Sequence, residues 1–272
     1  MFQVIAYIKF LLKSSNQHGV HSPFIYYLLT ESLYKKEEKP AFKIIRSYIK
    51  EVRMDNRIIS VKDFGAGSRV FKSNERKVLD IAKNVAISTK RALLLNRLTS
   101  YLNIKSALEL GTSLGISSTA ITAGNNVKLT TLEGCPETSN IAREYFKGFG
   151  LNSITLKVGN FEELLSEENW SQEIKNITPG LEHQKKQTSL DLIYFDGNHQ
   201  KEATLNYFNQ LLSLAHNGSV FIFDDIHWSK GMEEAWEEIK AHPRVRVSID
   251  SFFWGLVFFR EEQEKEHFTL RL

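Results

Sequence analysis

Glu109-Leu110-Gly111-Thr112-Ser113-Leu114-Gly115 decides how this chain folds. The apolar run Ala107 to Leu110 predicts a short buried strand, and Gly115 to Ala123 predicts a helix. A strand that turns through glycines into a helix gathers backbone N–H groups at one point, and the missing Cβ atoms let a ligand approach the main chain. Glu133 lies 24 residues after Glu109 and ends the next apolar run, Val127 to Leu132. An acid in that place can accept hydrogen bonds from both ribose hydroxyls of a bound nucleoside. A second glycine stretch, Asp63-Phe64-Gly65-Ala66-Gly67-Ser68, competes for the same role. Its context fails, because the chain around Ile81 to Ile87 reads as helix and no acid ends a second strand there. A tight turn is its simplest reading, and a lid using Arg69 or Lys72 is the alternative.

Downstream the alternation continues. Glu137 to Lys147 predicts a helix, Ser153 to Val158 a strand, Phe161 to Leu165 a short helix and Leu190 to Phe195 a buried strand. Residues 166 to 189 are polar and read as a helix plus a loop. A helix over 200–215, a strand over Ser219 to Phe223, a helix over 231–241 and a strand pair at Val245 to Ile249 and Phe253 to Phe259 complete the pattern. Strands alternating with helices imply right-handed crossovers and a mainly parallel sheet, whereas the short last connection forces an antiparallel pair. Residues 1 to about 100 read as mostly helical. Val4, Ile5, Ile8, Leu11 and Leu12 form a helix face expected to pack on a neighbour. Ser22-Pro23 starts a second helix, Lys35 to Pro40 is a charged break, and 41–53 is a third. A long periodicity from Val78 to Leu98 suggests helix over 75–101. The expected division is a helical extension over 1–74 and an α/β domain over 75–272.

Composition bounds the function. The 272 residues carry 35 Lys+Arg against 32 Asp+Glu, a net +3, with 42% apolar and 25% charged residues. That balance excludes a disordered chain and a collagen-like repeat, and it lacks the basic excess of a dedicated duplex-DNA binder. No nucleic-acid partner is expected. The single Cys135 cannot form an internal disulfide and fits a reducing cytoplasm. No apolar run reaches about 18 residues, so no membrane span is expected, and Met1 to Leu12 lacks the cleavage site of a signal peptide.

Five parallel strands plus an antiparallel terminal pair resembles the Rossmann-like class I S-adenosylmethionine (SAM)-dependent methyltransferase fold over about residues 75–260. The Glu-x-Gly-x-x-x-Gly form of the loop is similar to that family's first motif. The resemblance implies that Glu109, Gly111, Thr112, Ser113 and Gly115 surround the methionine moiety. Glu133 would then hold the ribose, with Gly134 and Cys135 beside the adenine. Gly159-Asn160-Phe161 follows the third strand, where the resemblance has Asn160 meet the adenine amino group and Phe161 pack its ring. Each of these is, taken singly, also an ordinary strand-to-helix turn. An NAD(P)-dependent oxidoreductase would use a similar loop, but Ser113 occupies the position where a pyrophosphate needs glycine.

Two acidic clusters end the next strands. One is Asp196-Gly197-Asn198-His199 and the other Asp224-Asp225-Ile226-His227. Ligands bind at the carboxyl ends of parallel strands, and carboxylates after apolar runs need partners. The pattern resembles cation-dependent O-methyltransferases of the catechol type, with 28 residues between Asp196 and Asp224. The resemblance implies a divalent cation, Mg or Mn, on Asp196, Asp224 and Asp225. Asp225 replaces that family's Asn, and His199 stands where it has a lysine base. Asp196 and His199 are therefore the candidate catalytic residues, and Asp196 also lines the cofactor cleft. A metal-free site with His199 capping the following helix is the alternative. His227-Trp228 is a candidate acceptor wall, and His18 and His21 read as loop residues. Glu261 to Glu266 reads as a solvated tail.

The segments His-Gly-Val-His-Ser-Pro-Phe, Glu-Leu-Gly-Thr-Ser-Leu-Gly, Phe-Asp-Gly-Asn-His and Phe-Asp-Asp-Ile-His-Trp also resemble a set of methyltransferases from bacteria of the Bacteroidetes type. The expectation is an O-methyltransferase acting on a small-molecule hydroxyl, with His199 or a bound cation activating the acceptor. The N-terminal helices are expected to shape the acceptor pocket or a homodimer contact. A non-catalytic SAM-binding protein is the third class, against which the retained Asp196, His199, Asp224 and Asp225 speak.

Overall fold

The computed structural model describes residues 2–62, 73–166 and 189–272. The Asp63 to Ser68 stretch with Arg69 and Lys72, and nearly all of the polar stretch 166–189, lie outside the described residues. In chain order the first elements are α1 (Phe2–Lys13), α2 (Pro23–Leu28) with a π-helical turn (Leu29–Leu33), α3 (Pro40–Val52), β1 (Ile58–Ser60) and β2 (Glu75–Lys77). Next come α4 (Val78–Asn84), α5 (Thr89–Tyr101), β3 (Ser106–Leu110), α6 (Ile116–Thr122), β4 (Lys128–Glu133), α7 (Pro136–Gly148), β5 (Ile154–Val158) and α8 (Phe161–Leu164). The last are β6 (Leu190–Phe195), α9 (Lys201–Leu211), β7 (Ala215–Asp224), α10 (Lys230–Ala241), β8 (Val247–Asp250), β9 (Trp254–Phe258) and β10 (Glu266–Thr269). The chain forms two compact units, Met1–Tyr34 with Gly180–Leu272, and Lys35–Pro179. Within Lys35–Pro179, α3 buries Phe42, Ile45, Tyr48, Ile49 and Val52 and contacts α5 and α6.

In the unit Lys35–Pro179, β3, β4 and β5 are parallel, with Glu109 opposite Thr131 and Glu133 opposite Val158. All five residues of β3 are buried, as its apolar sequence requires. Asn96 on α5 donates to the carbonyls of Ala120 and Ala123, both at 2.8 Å, and closes the open end of α6. The helix expected over 75–101 is broken. Glu75–Lys77 pairs with β1 as an antiparallel hairpin, and Ser88 starts a new helix by accepting a hydrogen bond from the Arg91 N–H. Apolar periodicity ran on across the break because α4 and α5 both bury apolar residues, so the Ser88 cap was the better signal.

In the other unit β6 and β7 are parallel, while β9 is antiparallel to both β7 and β8. The antiparallel pair near the C-terminus is therefore present as the short connection demanded. Phe195, Phe221, Phe223, Phe208 and Trp236 fill the core, with Phe195 stacked on Phe223 at 4.3 Å. Gly255 in β9 is needed there, since a Cβ would meet the Trp236 ring at 2.6 Å. The expected tail is not all tail: Glu266 opens β10, which runs parallel to β8. Its sequence lacks an apolar alternation because it lies beside a single partner strand.

Helix α1 has the expected length and the opposite orientation. It buries Ala6 and Phe10, whereas Val4, Ile5, Ile8, Leu11 and Leu12 face outward. Phe10 and Tyr7 hold the helix by packing on the Phe252 ring at 5.5 and 4.8 Å. Aromatic contact on the narrow side thus decides the docking. Of the C-terminal aromatic run, Trp254, Phe258 and Phe259 are core, and Phe253 is exposed.

Candidate active site

The glycine loop is built by hydrogen bonds to the two strands that flank it. Gly111 and Thr112 both donate their N–H groups to the Leu132 carbonyl, at 2.9 and 3.1 Å. Gly111, Ser113 and Gly115 have φ of 104°, 47° and 75°, so the turn is left-handed at three of five residues. Ser113 carries a side chain in that region, and its N–H is held at 2.7 Å by Glu133 Oε2. Glu133 Oε1 accepts from the Cys135 N–H at 2.9 Å. Gly115 admits no substitute, since a Cβ would meet the Phe146 ring at 2.4 Å and the Tyr48 hydroxyl at 2.7 Å. Tyr48 in turn donates to the Leu114 carbonyl at 2.8 Å, and its burial holds the phenol well above its usual pKa.

Glu109 is wholly buried on β3. Its Oε2 accepts from Ser118 and, at 2.6 Å, from Thr131, whose hydroxyl accepts from Thr112 at 2.6 Å. Its Oε1 has no hydrogen-bond partner among the described residues. Burial pushes the carboxyl up to about 7; the Ser117, Ser118 and Thr131 hydroxyls oppose the rise, and the nearby Glu133 charge adds to it. A buried acceptor without a donor is costly unless a ligand supplies one, so this oxygen is the mark of a binding site. The loop, Glu109, Thr112, Ser113, Glu133 and Cys135 are thus brought into one network. Gly159 joins it by donating to the Glu133 carbonyl at 3.0 Å. Asn160 caps α8 through a 2.9 Å bond from the Glu162 N–H, and Phe161 is the first residue of that helix. Gly134 sits between the two residues linked by the Glu133 side chain. The Cys135 thiol is taken up with the Ser60 carbonyl and the Lys62 N–H. Sequence reasoning missed Thr131 and Ser118. The strand register that sets Thr131 opposite Glu109, and the hydroxyls one turn into α6, were the available signals.

In the other unit, Asp196 follows β6 and His199 Nε2 lies 3.9 Å from Asp196 Oδ1, both about a quarter exposed. Between them Asn198 turns left-handed, with φ of 52°. Its amide donates to Tyr207 at 3.4 Å, while its Oδ1 is buried without a partner. Asp224 ends β7 nearly buried. It accepts from the Tyr194 hydroxyl at 3.2 Å and from the Asp225 N–H at 3.0 Å, and Trp254 donates to Tyr194 at 3.3 Å. Asp225 is left-handed, with φ of 54°.

Among the described residues, no three His, Cys, Asp or Glu side chains are grouped to hold a metal ion. Asp196, Asp224 and Asp225 do not form such a group. Asp224 Oδ2 accepts from Tyr194 and its Oδ1 from the Asp225 N–H.

His227 is not an open wall. Its Nδ1 and Nε2 face Glu233 Oε1 at 2.8 Å and Asp250 Oδ2 at 2.9 Å, and its ring stacks on Phe252. Burial would lower its pKa, but the bonds and charges of Asp250 and Glu233 outweigh burial and raise it. This clamp was not visible in sequence, since its three members come from a loop, a helix and a strand.

Residues 108–226 match the sequence model of a family described as "Methyltransferase domain". The match covers less than half of the chain, and solved structures resemble the chain over most of its length. The O-methyltransferase from Bacillus cereus, crystallised with S-adenosylhomocysteine (SAH), is 18% identical at a TM-score of 0.53, over 86% of this chain and 96% of that one. TomG from Streptomyces achromogenes, an O-methyltransferase of tomaymycin synthesis crystallised with SAM, is 15% identical at 0.52, over 90% and 99%. The SAH-bound methyltransferase PaMTH1 from Podospora anserina is 14% identical at 0.58, over 89% and 97%. At such identities the likeness is one of fold, and it is the Rossmann-like methyltransferase fold. Comparison with curated protein sequences finds no match.

Proposed function

We propose that the chain is a SAM-dependent O-methyltransferase acting on a small-molecule hydroxyl. The observation that carries the reading is the buried Glu109 Oε1, an acceptor with no donor, at the head of a left-handed glycine loop. A methionine ammonium supplies the missing N–H donors and a positive charge that draws the Glu109 proton off. Glu133 accepts from the ribose hydroxyls, and Asn160 and Phe161 take the adenine. A dinucleotide would instead bring pyrophosphate charge toward Glu109 and Glu133, which repel it.

When bound, SAM supplies an electrophilic methyl group on a sulfonium. The chain's own task is to place the acceptor oxygen and remove its proton. His199 is the proposed base. Its Nε2 faces Asp196, which leaves Nδ1 to take the hydroxyl proton, and the Asp196 charge stabilises the imidazolium so formed. A domain boundary near residue 74 and a cytoplasmic setting, fitting the lone buried Cys135, belong to the same proposal.

Calorimetric titration with SAM, SAH and NAD tests the cofactor. Micromolar binding of SAM and SAH, with none of NAD, is the expected result; binding of NAD alone would overturn the reading. With labelled methyl transfer to a panel of hydroxyl compounds, His199→Ala should lower kcat by about 10²–10⁴ and abolish the rising limb of the pH–rate profile. SAM affinity should be unchanged. A variant with full kcat removes His199 from the mechanism.

A further inference from the structure

The outward face of α1 is the largest feature that the methyltransferase reading leaves unused. Val4, Ile5, Ile8, Leu11 and Leu12 share an arc of about 120° on a helix of 3.6 residues per turn. Among the described residues nothing covers them: Val4 is 63% exposed, Ile8 53% and Leu12 82%. Such a patch approaches or exceeds the few hundred Å² of contiguous apolar surface that a monomer ordinarily shows, and it marks an interaction surface. The edges of the arc identify its partner. Lys9 and then Lys13 follow beyond Ile5, while Tyr7 and Gln3 lie beyond Leu11. The helix contains no Asp or Glu. Long basic side chains beside an aliphatic ridge place their stems in an apolar layer and their ammonium groups at its polar boundary. A second copy of this chain seated on the same ridge would set two cationic helices together, with no acid in either to pair with the lysines.

We infer that α1 lies flat in the headgroup region of an anionic membrane, with Val4, Ile8 and Leu12 entering the acyl boundary and Lys9 and Lys13 meeting lipid phosphates. The mode is that of an interfacial amphipathic helix, and no helix among the described residues is long and apolar enough to span. The inward face carries the helix's attachment to the fold through Phe10, Tyr7 and Phe252, so the outward residues are free for this use. The inference stands apart from the methyltransferase assignment, and neither depends on the other.

The test is flotation of the full chain with phosphatidylcholine vesicles, with and without phosphatidylglycerol, at low and high salt. The protein should float with the anionic vesicles, weakly with the neutral ones, and less as salt rises. Lys9→Gln and Lys13→Gln should each weaken binding about fivefold. Ile8→Glu with Leu12→Glu should abolish flotation while circular dichroism and the thermal midpoint stay at wild-type values, since both side chains are exposed. Absence of flotation with either vesicle would overturn the inference. So would sedimentation velocity showing a dimer that the Ile8→Glu, Leu12→Glu variant converts to monomer, because a second copy would then be the occupant.

Discussion

Replacing Glu109 by Gln removes a charge from a fully buried site and leaves the side-chain shape in place. The carboxyl is raised from an ordinary 4.5 to about 7, chiefly by burial. A carboxyl that binds its proton more tightly when folded contributes most stability at low pH. That contribution is complete below about 4.5 and falls as pH rises to about 7. The rise from 4.5 to about 7 corresponds to about 3.5 kcal/mol at ~1.4 kcal/mol per pH unit, nearly all of it lost by pH 8. Part of the loss precedes pH 5, where the unfolded carboxyl is already mostly ionised. Glu109→Gln has nothing to titrate, so the wild-type minus variant stability should shift by about 2.5 kcal/mol between pH 5 and pH 8. Other titrating groups cancel in that difference. Urea unfolding at the two pH values reads it directly, and thermal midpoints should separate by roughly 5–10 °C for a chain of this size. Adding SAM should reverse the order at pH 8, because the ammonium stabilises the ionised carboxylate. The variant should then bind SAM about 10- to 150-fold more weakly, the range of a charge-assisted hydrogen bond. Parallel stability profiles for the two proteins between pH 5 and pH 8 would refute the argument, since they would mean that Glu109 is ionised throughout or solvated in the folded chain.

Gly115→Ala should cost more than about 2 kcal/mol and abolish SAM binding, because the new Cβ meets Phe146 and Tyr48 at a φ of 75°; a variant with normal urea midpoint and normal calorimetry would contradict the close packing. His227 has a raised folded pKa, so its stabilising contribution is complete below the ordinary 6.5 and lost as pH rises through the folded value. His227→Gln should therefore destabilise by about 1–3 kcal/mol at pH 5.5 and by clearly less at pH 9.5, read by urea unfolding; an equal loss at both would show that charge plays no part. Thr131→Val removes a hydroxyl that holds the Glu109 pKa down. Its pH-dependent loss of stability should extend to higher pH than in the wild type, and an unchanged profile would count against the network.

Much of the fold was legible because its signals are local. Strands β3 and β6 are largely apolar runs ended by a glycine or polar turn, and that pattern survives without knowledge of partners. The β1–β2 hairpin was not legible, for two three-residue strands carry no periodicity to read. Neither was β10, a polar strand whose pairing is decided by β8. In the site, Glu109 and Glu133 could be chosen from spacing alone. Their protonation and hydrogen-bond partners could not, because those depend on Thr131, Ser118, Ser113 and Cys135 arriving from other turns. Spacing brings Asp196, Asp224 and Asp225 to strand ends, but it does not report that Tyr194 of β6 donates to Asp224 while Trp254 of β9 donates to Tyr194.

The same limit governs α1, and there it carries physical meaning. Periodicity reports that a helix has an apolar side; it does not report which side the fold takes. Here the fold takes the narrow side, where Phe10 and Tyr7 reach Phe252, whose ring in turn stacks on His227. Phe252 itself is held at a φ of 72°, with its N–H on Asp250, the carboxylate that also binds His227. A bulky residue in the left-handed region costs about 1–3 kcal/mol and persists only where its surroundings fix it. The helix is thus fastened to a strained turn by aromatic contact, and that turn is fastened to the loop after β7 by a charged clamp. An arrangement that accepts this strain on its inner side while leaving five aliphatic side chains outside is not explained by the stability of the isolated chain. It is explained if the outer side is spent on a surface the chain meets, which is where the lipid proposal and the geometry of the α1 attachment coincide.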